Sequence, residues 1–303
     1  MNVLAIDGGV TKTAAAIADR TGALTAKKRW ATGAYKRENI LNLFETIINE
    51  YKEQYDICAV GISTNGSVDD ENGVVVYADD VSKEWTGVQL AQEIQKRCGL
   101  VCVVQNDGRA AVLGEGLSGA AKGCSDYFGI FLGTGTVGGY VSGGRLMHGA
   151  NFGFGEVAHM VLHPNGRKCK CGQNGCVERY CSGTALYDLY NERTGRKLAS
   201  GYEFFDCLRA GDKDAQRVIE QFKTDLALTA VSVVNLLDPG LIVVGGGLVD
   251  TREYWWKDFV REYQRLCSAH LRNVEIVPAK LGNDAALIGM AHMAGRLCSV
   301  RKK

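Results

Sequence analysis

An excess of either charge is missing from this sequence: 35 Lys and Arg stand against 34 Asp and Glu, for a formal net charge of +1. That balance provides no basic face for nucleic acid, so no polymeric partner is expected. Long apolar runs are missing too, and with them a bilayer-spanning helix. The opening MNVLAIDGG has no basic region, extended apolar stretch or small-residue cleavage site of an export signal. A cytoplasmic protein without a membrane partner is therefore expected. Proline is scarce, with three residues against 38 glycines, and the glycines cluster after apolar runs instead of forming a linker. This is the punctuation of an α/β protein with tight turns at strand ends. Cysteine is not scarce, at 11 residues. The number is odd, and eight of them (Cys58, Cys98, Cys102, Cys124, Cys181, Cys207, Cys267, Cys298) are scattered singly through apolar segments. These eight are expected to be unpaired, buried small hydrophobes in a reducing compartment.

The chain of 303 residues is long enough for two domains. VLAID predicts a strand, GGVTKT a turn and AAAIAD a returning strand. ENILNLFETIINEYKEQY places Ile40, Leu41, Phe44, Ile47, Ile48, Tyr51 and Tyr55 at helical spacing. The strand ICAVGIS runs into the turn TNGSVDDENG, a helix follows over about 88–97, and the strand VCVVQ hands over at Asn106 and Asp107 to a helix rich in glycine and alanine. From near Ser118 the opening theme repeats in YFGIFLGTGTVGGYVSGG, and a third strand with a glycine turn, LIVVGGG, follows a helix over about 214–237. The expected organisation is a small lobe, 1–117, with a helix over about 285–300 packed back on it, and a large lobe, 118–303.

Three glycine turns at strand ends point to a bound nucleotide, because only small residues let backbone N–H groups close around phosphates. In the first, Asp7 is placed to orient a magnesium ion through its waters, while Gly9, Thr11, Lys12 and Thr13 face the phosphates. In the second, Gly133, Thr134, Gly135 and Thr136 form a nest with two hydroxyls. The third is Gly245, Gly246 and Gly247. Asp107 has two readings, as the cap of the helix it opens or as a general base for a sugar hydroxyl.

The most specific motif is CKCGQNGCVE. Cys169 and Cys171 are too close in sequence for a comfortable mutual disulfide, and with Cys176 and one histidine they make a tetrahedral structural zinc site. His159 and His163 compete for the fourth position, and spacing does not separate them. Four ligands leave no open position, so such a metal clamps a loop and does no chemistry. Glu156 and Glu178 flank the cluster, where carboxylates are placed to accept from a polyol.

In order, DGGVTKT, GISTNGSV, QNDGRAA, GIFLGTGTVGG, GFGEVAH and CKCGQNGCVE resemble the ROK family of repressors and sugar kinases, from about Val3 to Gly289. The resemblance implies an α/β, actin-like ATPase (ribonuclease H-like) fold of two lobes, with ATP and a hexose or N-acetyl-hexosamine in a central cleft. It implies phosphoryl transfer, usually to the C6 hydroxyl, with Asp107 as base, Asn106 on neighbouring hydroxyls, and Glu156, His159 and Glu178 on the sugar. His159 then doubles as the zinc ligand beside Cys169, Cys171 and Cys176. Gly66 and Ser67 fall on a loop that touches the sugar, with Asp79 or Asp80 near it, and Gly245 to Gly247 fall near the nucleoside. A homodimer is implied as well. Ser67 and the segment YADDVSKEW differ from the better-known glucose kinases of the family, which leaves the preferred sugar open, and three further departures stand out. Val10 replaces the second glycine of the first turn, which sets a non-catalytic sugar sensor beside the kinase as an alternative; Asn65 and Ala158 replace a common proline and glycine. Family repressors carry a helix-turn-helix ahead of the first strand, which here starts at Val3, so repression is not expected.

Overall fold

The computed structural model describes residues 2–19, 22–78 and 80–300. In chain order the elements are β1 (Asn2–Gly8), β2 (Lys12–Ala18), β3 (Leu24–Ala31), α1 (Arg37–Lys52), β4 (Ile57–Thr64), β5 (Ser67–Asp69), β6 (Val74–Tyr77), α2 (Leu90–Cys98), β7 (Val101–Asn106) and α3 (Asp107–Ser118). They continue with β8 (Tyr127–Leu132), β9 (Thr136–Ser142), β10 (Arg145–Leu146), α4 (Gly183–Thr194), α5 (Gly201–Arg209), α6 (Lys213–Leu237), β11 (Leu241–Gly245), α7 (Trp256–Leu266), β12 (Glu275–Pro278) and α8 (Ala285–Val300). No helix among the described residues is long and apolar enough to cross a membrane.

Two compact units emerge. The first comprises 1–122, 148–154 and 283–303, and the second 123–147 and 155–282. The first unit's sheet has the order β3-β2-β1-β4-β7, and the second unit's sheet the order β10-β9-β8-β11-β12. Each sheet is an antiparallel three-strand meander whose first strand also pairs in parallel with a later strand, and that one with a last. The repeat seen in the sequence is thus a repeat of topology. The strand β3 carries no expectation from the sequence, because LTAKKRWA is an edge strand with mostly exposed side chains and lacks an apolar face of its own.

The core of the first unit is built by the periodicities already described. Ile40, Leu41, Phe44, Ile47, Ile48 and Tyr51 of α1 are buried against Leu4, Ile6, Val60 and Ile62 of the sheet. Helix α8 packs on α3, β4 and β1. Its approach to α3 depends on two glycines: a methyl at Gly114 would run into the Ala285 carbonyl oxygen, and one at Gly289 into the Ala110 carbonyl oxygen. Gly114→Ala gains about 1 kcal/mol in helix propensity but forces two backbones apart, and overpacking of this kind costs about 1–3 kcal/mol. A net loss is expected, read as a lower urea midpoint at unchanged slope; an unmoved midpoint would mean that the two helices separate freely.

One expectation is corrected here. Cys58 and Cys298 form a disulfide, with Cα atoms 6.0 Å apart across 240 residues of sequence. The strand β4 and helix α8 bring them together, which spacing along the chain does not reveal. Of the other six scattered cysteines, Cys98, Cys181 and Cys267 are buried, and Cys102, Cys124 and Cys207 are half-buried. The pair also removes one argument for a reducing compartment. Asp79 lies outside the described residues, and Asp80 opens a 3-10 turn that ends at Trp85.

Candidate functional site

In the first unit the parallel register of β1 and β4 sets Asp7 opposite Ser63, whose hydroxyl donates to Asp7 Oδ1 at 2.7 Å. Burial pushes the Asp7 carboxyl above the usual carboxylate range, and the Ser63 bond offsets part of that rise. The turn after it is closed from within. Thr13 is fully buried, its hydroxyl lies 3.0 Å from that of Thr32, and Thr32 Oγ1 donates to the Gly9 carbonyl at 2.8 Å. Thr13 therefore faces the protein, while Thr11 and Lys12 are exposed and Val10 is half-buried at the bend.

At the junction of β7 and α3 the cap is Asn106, which corrects the reading of Asp107 as the cap. Asn106 has extended backbone (φ −63°, ψ 141°), and its Oδ1 accepts from the Arg109 N–H at 3.0 Å. Asp107 is the first helical residue, and its Oδ1 accepts from the Gly108 N–H at 2.7 Å. The helix dipole favours negative charge at that position. Asn106 Nδ2 donates to the Gly66 carbonyl at 3.0 Å, which ties the Gly66–Ser67 turn to the same strand end. Gly66 has φ +97°, and a side chain there would strike the Tyr77 carbonyl.

In the second unit the Gly133–Thr136 turn is sewn to the segment that carries Glu178. The Thr136 N–H donates to Glu178 Oε2 at 3.0 Å, and the Thr136 hydroxyl to the Cys181 carbonyl at 2.7 Å. The Gly183 N–H reaches the Gly133 carbonyl at 2.8 Å and the Thr184 N–H the Thr134 carbonyl at 3.3 Å. Ser182 caps α4 through the Ala185 N–H and donates to the Glu178 carbonyl at 2.8 Å. Thr136 is thus buried with its hydroxyl committed, like Thr13 in the first unit. The grip of Glu178 on this turn was not legible in the sequence, since nothing local relates positions 42 residues apart. In the third turn Gly245 ends β11, and Gly246 has φ +84° with no room for a side chain beside Leu132, whereas a side chain at Gly247 would meet open space.

The cysteine cluster assembles as the spacing predicts. One ligand atom each from His159, Cys169, Cys171 and Cys176 lie within 4.8 Å of one another. Cys169 Sγ is 3.8 Å from His159 Nδ1, and Cys171 Sγ is 3.5 Å from Cys176 Sγ. Zinc bonds of about 2.3 Å to sulfur and about 2.0 Å to nitrogen would space tetrahedral ligands by about 3.5–3.8 Å, so the four fit such an ion with little movement. Bridges between Val161 and Cys176 and between Lys168 and Asn174 shape the loop. Burial pushes the Cys169 thiol up and Cys176 up to about 12. At Cys171 burial acts upward too, but the Gln173 N–H and the neighbouring thiols bring it below its usual value.

The competition between histidines is decided by a residue far along the chain. His163 Nε2 lies 2.8 Å from Asp225 Oδ1 and the ring packs on Tyr180, with centroids 4.4 Å apart. Burial raises the Asp225 carboxyl and the His163 partner offsets part of the rise. His163 is spent on α6, and His159 alone of the two joins the thiols. Glu156 and Glu178 lead into and sit within the short 3-10 turns Val157–His159 and Val177–Arg179 on either side of the cluster.

The chain is similar in sequence and fold to known proteins. A glucokinase of Thermotoga maritima is 32% identical over 272 residues, which is 84% of this chain and 84% of the relative. Among solved structures, a ROK family glucokinase from Streptomyces griseus in complex with glucose and AMPPNP superposes with a TM-score of 0.85 at 29% identity, covering 98% of this chain and 100% of that one. A ROK hexokinase from Thermus thermophilus superposes with a TM-score of 0.86 at 29% identity, covering 100% of both chains. The likeness gives the fold as actin-like. The ROK family pattern matches residues 3–296, and with two like-ordered sheets, glycine turns at their strand ends and a four-ligand Cys/His cluster, the chain belongs to the ROK family.

Proposed function

We propose that this protein is a sugar kinase that transfers the terminal phosphoryl group of ATP to a hexose or N-acetyl-hexosamine, at the C6 hydroxyl, with Asp107 as general base. Support comes from relatives that are glucokinases and from one whose structure holds glucose and an ATP analogue. The observation that carries the reading is the Asn106 cap. Because Asn106 meets the capping need of α3, the helix does not require Asp107 for that purpose. The helix N-terminus favours the ionised form of such a carboxylate, and an ionised carboxylate within hydrogen-bond reach of the hydroxyl is in the state that can accept its proton.

In this reading Asn106, Gly66, Ser67, Glu156 and Glu178 hold sugar hydroxyls. His159 offers Nδ1 to the metal and its other ring nitrogen to the sugar. Gly9, Thr11 and Lys12 serve the phosphates, as do the N–H groups of Thr134 and Gly135, while Gly247 lies toward the nucleoside. Thr13 and Thr136 support their turns from within. Asp7 would hold magnesium through waters, and the ion would neutralise phosphate charge when bound. Zinc is the ion the three thiolates and one imidazole suit, and it would brace the loop that carries Glu178. A cytoplasmic homodimer completes the proposal, with light scattering as the check on oligomeric state.

A coupled ATP assay over a panel of monosaccharides tests the activity, with NMR of the product to locate the new phosphate ester. Turnover with at least one hexose, esterified at C6, is expected. Binding without turnover across the panel would favour the sensor. Gly135→Ala probes the turn together with the sugar ligand it grips, because its methyl would stand 2.5 Å from Glu178 Oε2 and dislodge the carboxylate from Thr136, so KM for the sugar should rise along with KM for ATP. Hydrogen bonds to charged groups are worth about 1.5–3 kcal/mol, so KM for ATP should rise by about tenfold or more. An unchanged KM for ATP would mean that the grip does not shape the turn.

A further inference from the structure

The strand that delivers Asn106 and Asp107 carries one more polar side chain at its end. Gln105 is fully buried. Its Oε1 accepts from the Asn106 N–H at 2.8 Å and its Nε2 donates to Asp70 Oδ2 at 3.1 Å. The amide has one orientation here, since a backbone N–H only donates and a carboxylate only accepts. The other oxygen of Asp70, Oδ1, is buried with no hydrogen-bond partner among the described residues. A buried acceptor left so is a penalty that packing does not explain. The hairpin of β5 and β6 does not need Asp70 for its own shape, because Asp69 closes that turn by accepting from the N–H groups of Glu71 and Asn72 and from Asn72 Nδ2, at 3.1, 3.0 and 2.8 Å. What Asp70 does hold is Gln105. With the bond from Asn106 Nδ2 to the Gly66 carbonyl, the stretch from Gly66 to Asp70 is pinned to the end of β7 at two points.

We propose that Asp70 and Gln105 are positioning residues for the phosphoryl acceptor: Gln105 carries the fixed place of Asp70 to the Asn106 main chain, and so sets where the Asn106 amide and the Asp107 carboxylate stand toward a sugar hydroxyl. This rests on the roles proposed above for Asn106 and Asp107. The pair acts through those two residues, and its loss is felt by the sugar and not by ATP.

The test uses the full chain and the hexose it phosphorylates best in the panel, and measures kcat together with KM for sugar and for ATP. Gln105→Glu sets a second carboxylate against Asp70, and kcat/KM for the sugar is expected to fall by at least about tenfold with KM for ATP unchanged. Combining Gln105→Glu with Asp70→Asn exchanges donor and acceptor, so the introduced amide donates to the introduced carboxylate and the Asn106 N–H keeps its acceptor. Recovery to within about threefold of the wild type is expected. If Gln105→Glu does not fold, Asp70→Ala replaces it with the same selective loss expected. Asn106→Ala, run in parallel, tells the two failures apart. If it leaves KM for the sugar unmoved, the role of Asn106 fails and the pair's role with it. If it raises that KM while the Gln105 and Asp70 variants leave kcat/KM for the sugar unmoved, or if the double variant has the wild-type urea midpoint yet stays impaired, the positioning role alone is overturned.

Discussion

Asp107→Asn is expected to lower kcat by about 10²- to 10⁴-fold, a barrier increase of roughly 3–5 kcal/mol, while KM for the sugar stays near its wild-type value. The substitution keeps the volume of the side chain and an oxygen that can accept from the Gly108 N–H, the bond that Asp107 Oδ1 makes at 2.7 Å. It also spares the cap, which belongs to Asn106. The fold and the helix end should therefore survive, and what disappears is the capacity to take a proton from the attacking hydroxyl. Phosphoryl transfer asks a protein mainly for alignment and charge stabilisation, so a positioned base is one contribution among several and its loss leaves residual turnover. Steady-state kinetics decides the matter: turnover near wild type with unchanged sugar affinity would show that the proton goes elsewhere.

Metal removal should also have a large effect, by a different route. Protein purified without added zinc is expected to carry about one equivalent per chain, and Cys176→Ser or a strong chelator should abolish it. Losing an outer-shell partner of a zinc site costs about 10- to 100-fold in affinity or activity, and losing a ligand should exceed that. The reason lies in the segment C-terminal to the cluster. Cys176 directly precedes the 3-10 turn that holds Glu178, and Glu178, Cys181, Gly183 and Thr184 together make four hydrogen bonds to the Gly133–Thr136 turn. Release of the loop should therefore expose 165–175 to limited proteolysis and weaken binding of a fluorescent ATP analogue as well as of sugar. A metal-free chain that is fully folded and active would rule the clamp out.

Much of this site is legible in the sequence, and the parts that are not have a common cause. CKCGQNGCVE announces a cluster of side chains of the metal-ligating kind because three thiols within eight residues can meet without help from the rest of the fold. The fourth ligand was ambiguous, since His159 and His163 both lie just upstream; Asp225, 62 residues from His163, removes it from the contest. Asn106 and Asp107 are equally good caps by residue type, and only the extended backbone at Asn106 shows which one serves. Thr13 and Thr136 look like phosphate donors by composition, yet both hydroxyls turn inward to partners 19 and 45 residues away.

By itself, then, the order of residues determined the repeated strand-turn-strand theme, the glycine turns at its strand ends, the Asn-Asp junction and the three-cysteine loop, because apolar periodicity, backbone freedom and short-range ligand spacing act within about one turn or strand of chain. The tertiary structure alone decided that Cys58 meets Cys298, that His163 goes to Asp225, that Glu178 holds the Thr136 N–H and that Gln105 faces Asp70. Each of these is one directed bond or hydrogen bond between side chains or backbone groups far apart in sequence. Burial drives such groups to find a partner, but which partner depends on the register in which packed strands and helices set them down.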